Sequence, residues 1–155
     1  MNMKQNYQKS GVVQILLVED NRDDEELTLL TLAENHIASD IKVVRDGVEA
    51  LDYLFATGPY ADQKTGLPHF ILLDVKLPKV NGLEVLQRVK QDKRTSKIPV
   101  VMLTSSREDP DVKRSYELGV NSYIVKPVDF HLFKETIKQL GHYWQNLNVA
   151  PRNDR

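Results

Sequence analysis

The sequence contains no cysteine, which excludes disulfide bonds, cysteine-ligated zinc sites and iron–sulfur clusters. No apolar run approaches the ~18 residues of a membrane span, and the polar residues 1–11 lack the apolar core of a signal peptide. The formal net charge of -1 gives no overall attraction to nucleic acid or to an anionic membrane. These absences predict a soluble, cytoplasmic protein that binds neither nucleic acid nor membrane.

The length of 155 residues and the ordinary hydrophobic share of 41% indicate a single globular domain. Residues 1–11 are predicted to form a flexible leader, and residues 148–155 a flexible tail. Residues 12–147 are expected to form the domain, with an extended last helix. No internal repeat and no interdomain linker interrupts this segment.

Short apolar, β-branched segments alternate with segments whose apolar residues recur at helical spacing. The predicted strands cover residues 12–18, 41–44, 70–74, 99–103 and 122–125, and a helix is expected after each of them. Alternating strands and helices form a parallel sheet with right-handed crossovers and helices on both faces. The expected fold is therefore α/β, a flavodoxin-like doubly wound sheet of five parallel strands with five helices.

The first predicted helix begins among several acidic residues, which suit the positive end of the helix dipole. Asp23 or Asp24 is expected to cap it. Its apolar positions at helical spacing are Leu27, Leu30 and Ala33 or Ile37. This spacing is typical of a helix with one apolar face.

Polar residues stand just past the C-terminal end of four predicted strands. They are the Glu19-Asp20 pair, Asp74, Thr104 and Lys126. Asp74 follows a fully apolar strand, and a carboxylate is too costly to bury in the core without a partner. Because the C-terminal ends of parallel strands share one edge, where such sheets bind ligands, we expect these side chains to converge there.

The types of these residues indicate phosphoryl chemistry. Clustered carboxylates repel one another and favour a hard cation, and Mg²⁺ prefers oxygen ligands that include a phosphate oxygen. Lys126 supplies a positive charge for a phosphoryl group, and Thr104 supplies a hydroxyl donor. Asp74 is then the expected nucleophile, which forms an aspartyl phosphate while metal and lysine stabilise the developing charge.

Over about residues 12–141 the chain resembles the receiver domain of two-component response regulators. The motifs that carry the resemblance are Glu19-Asp20, the segment 72–78 with Gly82 after it, Leu103-Thr104-Ser105 and Lys126-Pro127. The resemblance implies a phosphorelay protein in which Asp74 accepts phosphate from a sensor histidine kinase. It also implies that the protein catalyses only its own phosphorylation and slow dephosphorylation, and is otherwise not an enzyme.

The same resemblance assigns roles to the residues around Asp74. Asp20 and Asp74 would hold Mg²⁺, the backbone carbonyl of Lys76 would complete the protein ligands, and Glu19 would lie nearby, acting through water. Lys126 would bind the phosphate. Thr104 would report the phosphate, with Tyr123 as the coupled aromatic residue of the switch.

Two further features of the sequence bear on its protein partners. The long loop after the second helix and the Tyr143-Trp144 pair are similar to stand-alone receivers paired with bacterial phytochromes, which makes a phytochrome a candidate kinase. Nothing after residue 145 could form a DNA-binding domain, so a downstream protein partner is expected. Tyr143 and Trp144 are expected either to seal the domain or to centre a homodimer interface of the fourth helix, fifth strand and fifth helix.

Other classes of protein place similar residues at strand ends. A phosphatase of the haloacid dehalogenase type needs a second aspartate two residues after the nucleophile, where this chain has Lys76. A flavodoxin needs a hydroxyl- and glycine-rich phosphate loop after the first strand, where Glu19-Asp20 would repel phosphate. The remaining alternative is a degenerate receiver that acts as a constitutive, phosphorylation-independent binding module.

Overall fold

The computed structural model describes residues 13–34, 39–63, 66–126, 131–132, 135–136 and 138–139. Its strands are β1 (Val13–Val18), β2 (Ser39–Val44), β3 (Phe70–Leu73), β4 (Val100–Thr104) and β5 (Ser122–Val125). Its α-helices are α1 (Arg22–Glu34), α2 (Gly47–Phe55), α3 (Gly82–Gln91) and α4 (Asp109–Glu117). A short 3₁₀-helix, Gly58–Tyr60, lies in the long loop predicted after the second helix.

All five strands pair in parallel, in the order β2-β1-β3-β4-β5. The chain moves to one side of β1 to form β2 and then crosses to the other side to form β3. Ligands of open α/β sheets bind at such a reversal, outside the carboxyl ends of the strands. The predicted flavodoxin-like parallel sheet is therefore confirmed, and its β1–β3 crevice is the place to look for a site.

The three central strands, β1, β3 and β4, are buried on both faces of the sheet. Toward α2 and α3 they present Leu16, Val18, Ile71, Leu73, Val100 and Met102. Toward α1, whose Leu32 is fully buried, they present Ile15, Leu17, Phe70, Leu72, Val101 and Leu103. This double burial is why these three strands read as nearly unbroken apolar runs rather than as alternating ones.

The expected count of five helices is not confirmed, since four α-helices lie in the described part of the chain. The fifth was expected from about Asp129 to beyond Trp144, and most of that segment, with Tyr143 and Trp144, lies outside the described residues. The predicted leader and tail lie outside them as well. The described residues between 131 and 139 are helical, and the Thr136 hydroxyl donates to the Leu132 carbonyl at 2.9 Å.

Helix α1 buries a different face from the one its leucines predict. Leu27 and Leu30 are exposed, whereas Thr28, Thr31 and Leu32 are buried. Both threonine hydroxyls donate to carbonyl oxygens four residues earlier, at 2.8 and 2.9 Å. Because these bonds satisfy the hydroxyls, the helix can bury threonine at little cost.

Among the described helices, none has the length and apolar character that crossing a membrane requires.

The turn from β3 into α3 is packed too closely for a side chain at Gly82. A Cβ atom there would lie 1.9 Å from the Asp74 carbonyl oxygen and 2.8 Å from the Val75 Cα. The Gly82 N–H also donates to the Val75 carbonyl at 2.8 Å. Glycine therefore allows α3 to begin against the backbone of Asp74, which holds that residue at the sheet edge.

We expect Gly82→Ala to lower the free energy of unfolding by about 2–3 kcal/mol, because rigid backbone must move to admit the new methyl group. Urea unfolding measures the loss. Arg88→Ala, at an exposed position of the same helix, is the control and should change stability by less than about 0.5 kcal/mol. A Gly82→Ala variant as stable as the control would contradict this account of the turn.

Candidate functional site

The register of the sheet brings the acidic residues of two strands together. Val18 of β1 pairs with Leu73 of β3, so the next residues, Glu19 and Asp74, lie side by side at the carboxyl edge. The Asp74 N–H donates to the Val18 carbonyl at 3.3 Å, which extends the pairing by one residue. The two carboxylates are buried, with 1% and 6% of their residues' surface exposed.

The register also places the predicted lysine and threonine beside each other. Thr104 is the last residue of β4 and pairs with Val125 of β5. Lys126 follows directly, and its N–H donates to the Thr104 carbonyl at 2.8 Å. All four strand-end positions singled out by the sequence therefore lie on one edge of the sheet.

The ammonium group of Lys126 contacts three carboxylates. Its Nζ lies 2.7 Å from Glu19 Oε1, 2.8 Å from Asp24 Oδ2 and 3.2 Å from Asp74 Oδ2. Burial by itself would lower the pKa of Lys126, but the hydrogen bonds to Asp24 and Glu19 more than offset it and raise the pKa above 10.5. The lysine is thus held in its charged form among these acids.

Glu19 is the most deeply buried acid of the site. Burial raises its pKa to about 7, against the opposing effect of the hydrogen bond from Lys126. Its second oxygen, Oε2, accepts a hydrogen bond from the Asn21 N–H at 3.2 Å. Both oxygens of Glu19 therefore have a donor, as a buried carboxylate requires.

The acids can also hold a metal ion. Ligand oxygens of Glu19, Asp20 and Asp74 all lie within 4.8 Å of one another, and Asp20 is exposed on the open side of the group. Oxygen ligands around Mg²⁺ lie about 3–4 Å apart, so a small adjustment would let this group close on the ion. An all-oxygen, multiply charged set of this kind fits Mg²⁺ better than a softer metal.

Lys76 takes part through its backbone. Its N–H donates to Asp74 Oδ1 at 3.0 Å, which fixes the rotation of that carboxylate and leaves Oδ2 to face Lys126. Its side chain instead lies 3.4 Å from Glu108 and 3.5 Å from Asp111, near the start of α4. The role of the Lys76 carbonyl as a metal ligand stays a prediction.

Thr104 and Tyr123 are linked through one residue that the sequence did not single out. Thr104 is fully buried, and its Oγ1 accepts a hydrogen bond from the Ser106 N–H at 3.3 Å. The Tyr123 hydroxyl donates to the Ser106 carbonyl at 3.0 Å, and the Ser106 hydroxyl donates to Asp111 at 2.5 Å. Ser106 therefore connects both expected switch residues to the first turns of α4.

Asp24 is the other site residue that sequence reasoning missed, because it was assigned to helix capping. The cap is Asn21, whose Oδ1 accepts a hydrogen bond from the Asp24 N–H at 3.0 Å. This corrects the expectation that Asp23 or Asp24 caps the helix. The position of Asp24 in the sequence could have indicated this role. Helix α1 begins directly after the Glu19-Asp20 pair, so the acids of its first turn lie near the same crevice.

A doubly wound sheet with clustered carboxylates and a lysine at its switch point is suited to hold a metal ion beside an anion. The chain belongs to the response regulator receiver domain family, whose sequence model matches residues 15–138. Phosphorylation on an aspartate is the general mechanism of this family, and its members bind Mg²⁺ or Mn²⁺ at an acidic pocket.

Three relatives are similar to this chain in sequence over most of its length. The structure of the bacteriophytochrome response regulator AtBRR is 57% identical, with a TM-score of 0.73 over 84% of this chain and 93% of that one. The probable methanogenesis regulatory protein FilR2 of Methanothrix harundinacea is 41% identical over 88% of this chain and 86% of its own. Response regulator Rcp1 of Synechocystis sp. is 38% identical over 88% and 92%. A crystal structure of Rcp1 in its Mn²⁺-bound form matches with a TM-score of 0.73 over 85% of this chain and 94% of that one, at 37% identity.

Proposed function

We propose that a sensor histidine kinase phosphorylates this protein on Asp74 in a Mg²⁺-dependent reaction, and that phosphorylation switches its contacts with a downstream protein. The observation that carries this proposal is that Asp74 belongs to the acidic cluster and also contacts an ammonium group. The ligand oxygens of Glu19, Asp20 and Asp74 lie within 4.8 Å of one another, and Lys126 Nζ is 3.2 Å from Asp74 Oδ2.

The residues have distinct parts in the transfer. A carboxylate oxygen of Asp74 attacks the phosphorus of the donor phosphohistidine, and the P–N bond breaks with its electron pair retained by the imidazole nitrogen. Lys126 neutralises charge on the phosphoryl oxygens as the bonds change. Asp20, Asp74 and the Lys76 carbonyl would hold Mg²⁺, with Glu19 nearby, and the bound ion would supply further charge neutralisation.

We propose a phytochrome-type kinase as the donor, because AtBRR, at 57% identity, is named as a bacteriophytochrome response regulator. FilR2, at 41% identity, is named for regulation of methanogenesis, so similar chains serve different signals. The kinase is therefore best identified by experiment.

Phosphotransfer from a panel of purified, radiolabelled histidine kinases of the same organism tests the donor directly. One kinase, with a phytochrome sensor, should transfer label within the shortest time, and Asp74→Asn should accept none from it. Preferred transfer from a kinase of another sensor class would reject the phytochrome assignment. Failure with every kinase would favour the alternative, a constitutive binding module that works without phosphorylation.

Thr104→Ala should take up phosphate but respond less to it. If the threonine moves to donate its hydroxyl to the phosphoryl group, the hydrogen bond that its Oγ1 accepts from the Ser106 N–H at 3.3 Å changes, and this change reaches Tyr123 through Ser106. Chemical-shift changes at Tyr123 on phosphorylation should therefore be smaller in Thr104→Ala than in Thr104→Ser, which keeps the hydroxyl. Equal responses in both variants would count against the coupling.

We further propose that the domain extends from residue 12 to 147, between a leader and a tail.

The domain is also proposed to form a two-fold dimer through α4, β5 and the last helix. Large exposed apolar side chains on the described part of these elements support the dimer: Tyr116 and Leu132 are each 53% exposed. Sedimentation at micromolar concentrations should show a dimer that beryllofluoride tightens and that Trp144→Ala weakens. A protein that stays monomeric with and without beryllofluoride, or a Trp144→Ala variant that unfolds, would instead indicate that Trp144 packs within its own domain.

A further inference from the structure

The Asp24 carboxylate binds Lys126, the residue that is proposed to bind the phosphoryl group. An ammonium group has three N–H donors, and the three carboxylates around Lys126 use all of them, at 2.7, 2.8 and 3.2 Å. Glu19 and Asp74 also belong to the acidic cluster that can hold a metal ion, whereas Asp24 is not a member of that cluster. Asp24 therefore differs from the other two acids in that it contacts Lys126 without belonging to the cluster that can hold a metal ion.

Of the two shorter contacts, the one to Asp24 is the easier to break. Glu19 is 1% exposed, and both of its oxygens accept hydrogen bonds, so releasing Lys126 would leave a buried acceptor unsatisfied. The Asp24 side chain is 34% exposed, so water can solvate it after the lysine leaves. Its backbone is anchored independently, since its N–H donates to Asn21 and its carbonyl accepts from Thr28.

Phosphorylation would set two anions against one ammonium group. A phosphoryl group on Asp74 would add oxygens that need an N–H of Lys126, so the ammonium group must shift a donor to them from one of its three carboxylates. Asp24, 2.8 Å from the same nitrogen, opposes that shift by its own hydrogen bond and repels the incoming phosphoryl oxygens. Because the Lys126 side chain is only 9% exposed, solvent screens these interactions weakly.

We infer that Asp24 is a positioning residue that substitutes for the phosphoryl group on Lys126 in the resting protein and competes with it in the activated one. Asp24 lowers the affinity of the site for a phosphoryl group. It therefore disfavours the active state as long as Asp74 is not phosphorylated. This inference rests on the proposed function, in which Asp74 is the phosphoacceptor and Lys126 binds the phosphate.

Beryllofluoride, a phosphoryl mimic, tests the inference in the full-length chain at saturating Mg²⁺. Calorimetric titration should show that Asp24→Asn binds it about two- to fivefold more tightly than the wild type, the range for one partly exposed charged contact. Asp24→Ala should behave in the same way, and Asp24→Glu should restore the wild-type affinity. Titration with Mg²⁺ alone should give similar affinities for Asp24→Asn and the wild type.

Asp23→Asn is the matched control. Asp23 is exposed in the same helical turn and carries the same charge, so the substitution changes the net charge and the helix-dipole interaction equally. Equal tightening in both variants would assign the effect to long-range charge and overturn the inference. Unchanged or weaker binding by Asp24→Asn would also overturn it. If the wild type itself fails to bind beryllofluoride, the proposed function fails first.

Discussion

Asp74→Asn is expected to abolish phosphorylation by acetyl phosphate, as followed by the mass of the intact protein. Asp74 belongs to the acidic cluster and contacts Lys126 through Oδ2, and the Lys76 N–H donates to its Oδ1 at 3.0 Å. An amide at this position keeps the shape of the side chain but replaces the anionic carboxylate nucleophile with a neutral group. The wild type should lose its modification to the same extent when a chelator removes divalent cations, because the acids would then repel the incoming phosphoryl group.

Glu108→Gln is the control for this experiment, because Glu108 is an exposed acid that contacts the Lys76 side chain rather than the cluster. It should leave the extent of phosphorylation unchanged. Modification that persists in Asp74→Asn would assign the phosphoacceptor to another residue. Full modification of the wild type in the presence of chelator would reject the role of the metal, and leave that of Asp74 in place.

Lys126→Met should destabilise the protein by about 3–5 kcal/mol in the absence of divalent cations. The methionine retains most of the apolar stem but removes the charge that compensates two buried acids, Glu19 at 1% and Asp74 at 6% exposure. Breaking a buried ion pair from one side costs this much because the remaining charge has no partner. Mg²⁺ should restore part of the loss, since an ion held by the same carboxylates replaces the missing positive charge.

Urea unfolding with and without Mg²⁺ measures both effects. Lys113→Met, at an exposed position of α4, is the control and should change stability by less than about 0.5 kcal/mol under either condition. The decisive quantity is the stabilisation by Mg²⁺, which should be larger in Lys126→Met than in the wild type. A loss below 1 kcal/mol, or equal stabilisation by Mg²⁺ in both proteins, would mean that Lys126 is not the main charge partner of the buried acids.

The sequence by itself was sufficient for the sheet and for most of the site. Strands buried on both faces must be almost continuously apolar, so the three central strands could be recognised without their partners, and the edge strands β2 and β5 from their β-branched residues. A polar residue at the end of such a strand can only emerge at the carboxyl edge, and parallel pairing brings those edges together. Glu19, Asp74, Thr104 and Lys126 could therefore be placed as neighbours before any contact was known.

The rotation of α1 and the partners of its acids could not be predicted in this way. Leucine spacing suggested that Leu27 and Leu30 face inward, but the helix buries Thr28 and Thr31, whose hydroxyls bond to its own backbone. Likewise, Asp24 matched a cap by composition, whereas Asn21 caps the helix and leaves Asp24 to Lys126. Local sequence specifies which groups need partners, and several candidates satisfy the need about equally well. The choice among them depends on contacts between residues about a hundred positions apart, such as Asp24 and Lys126, and these exist only once the chain has folded.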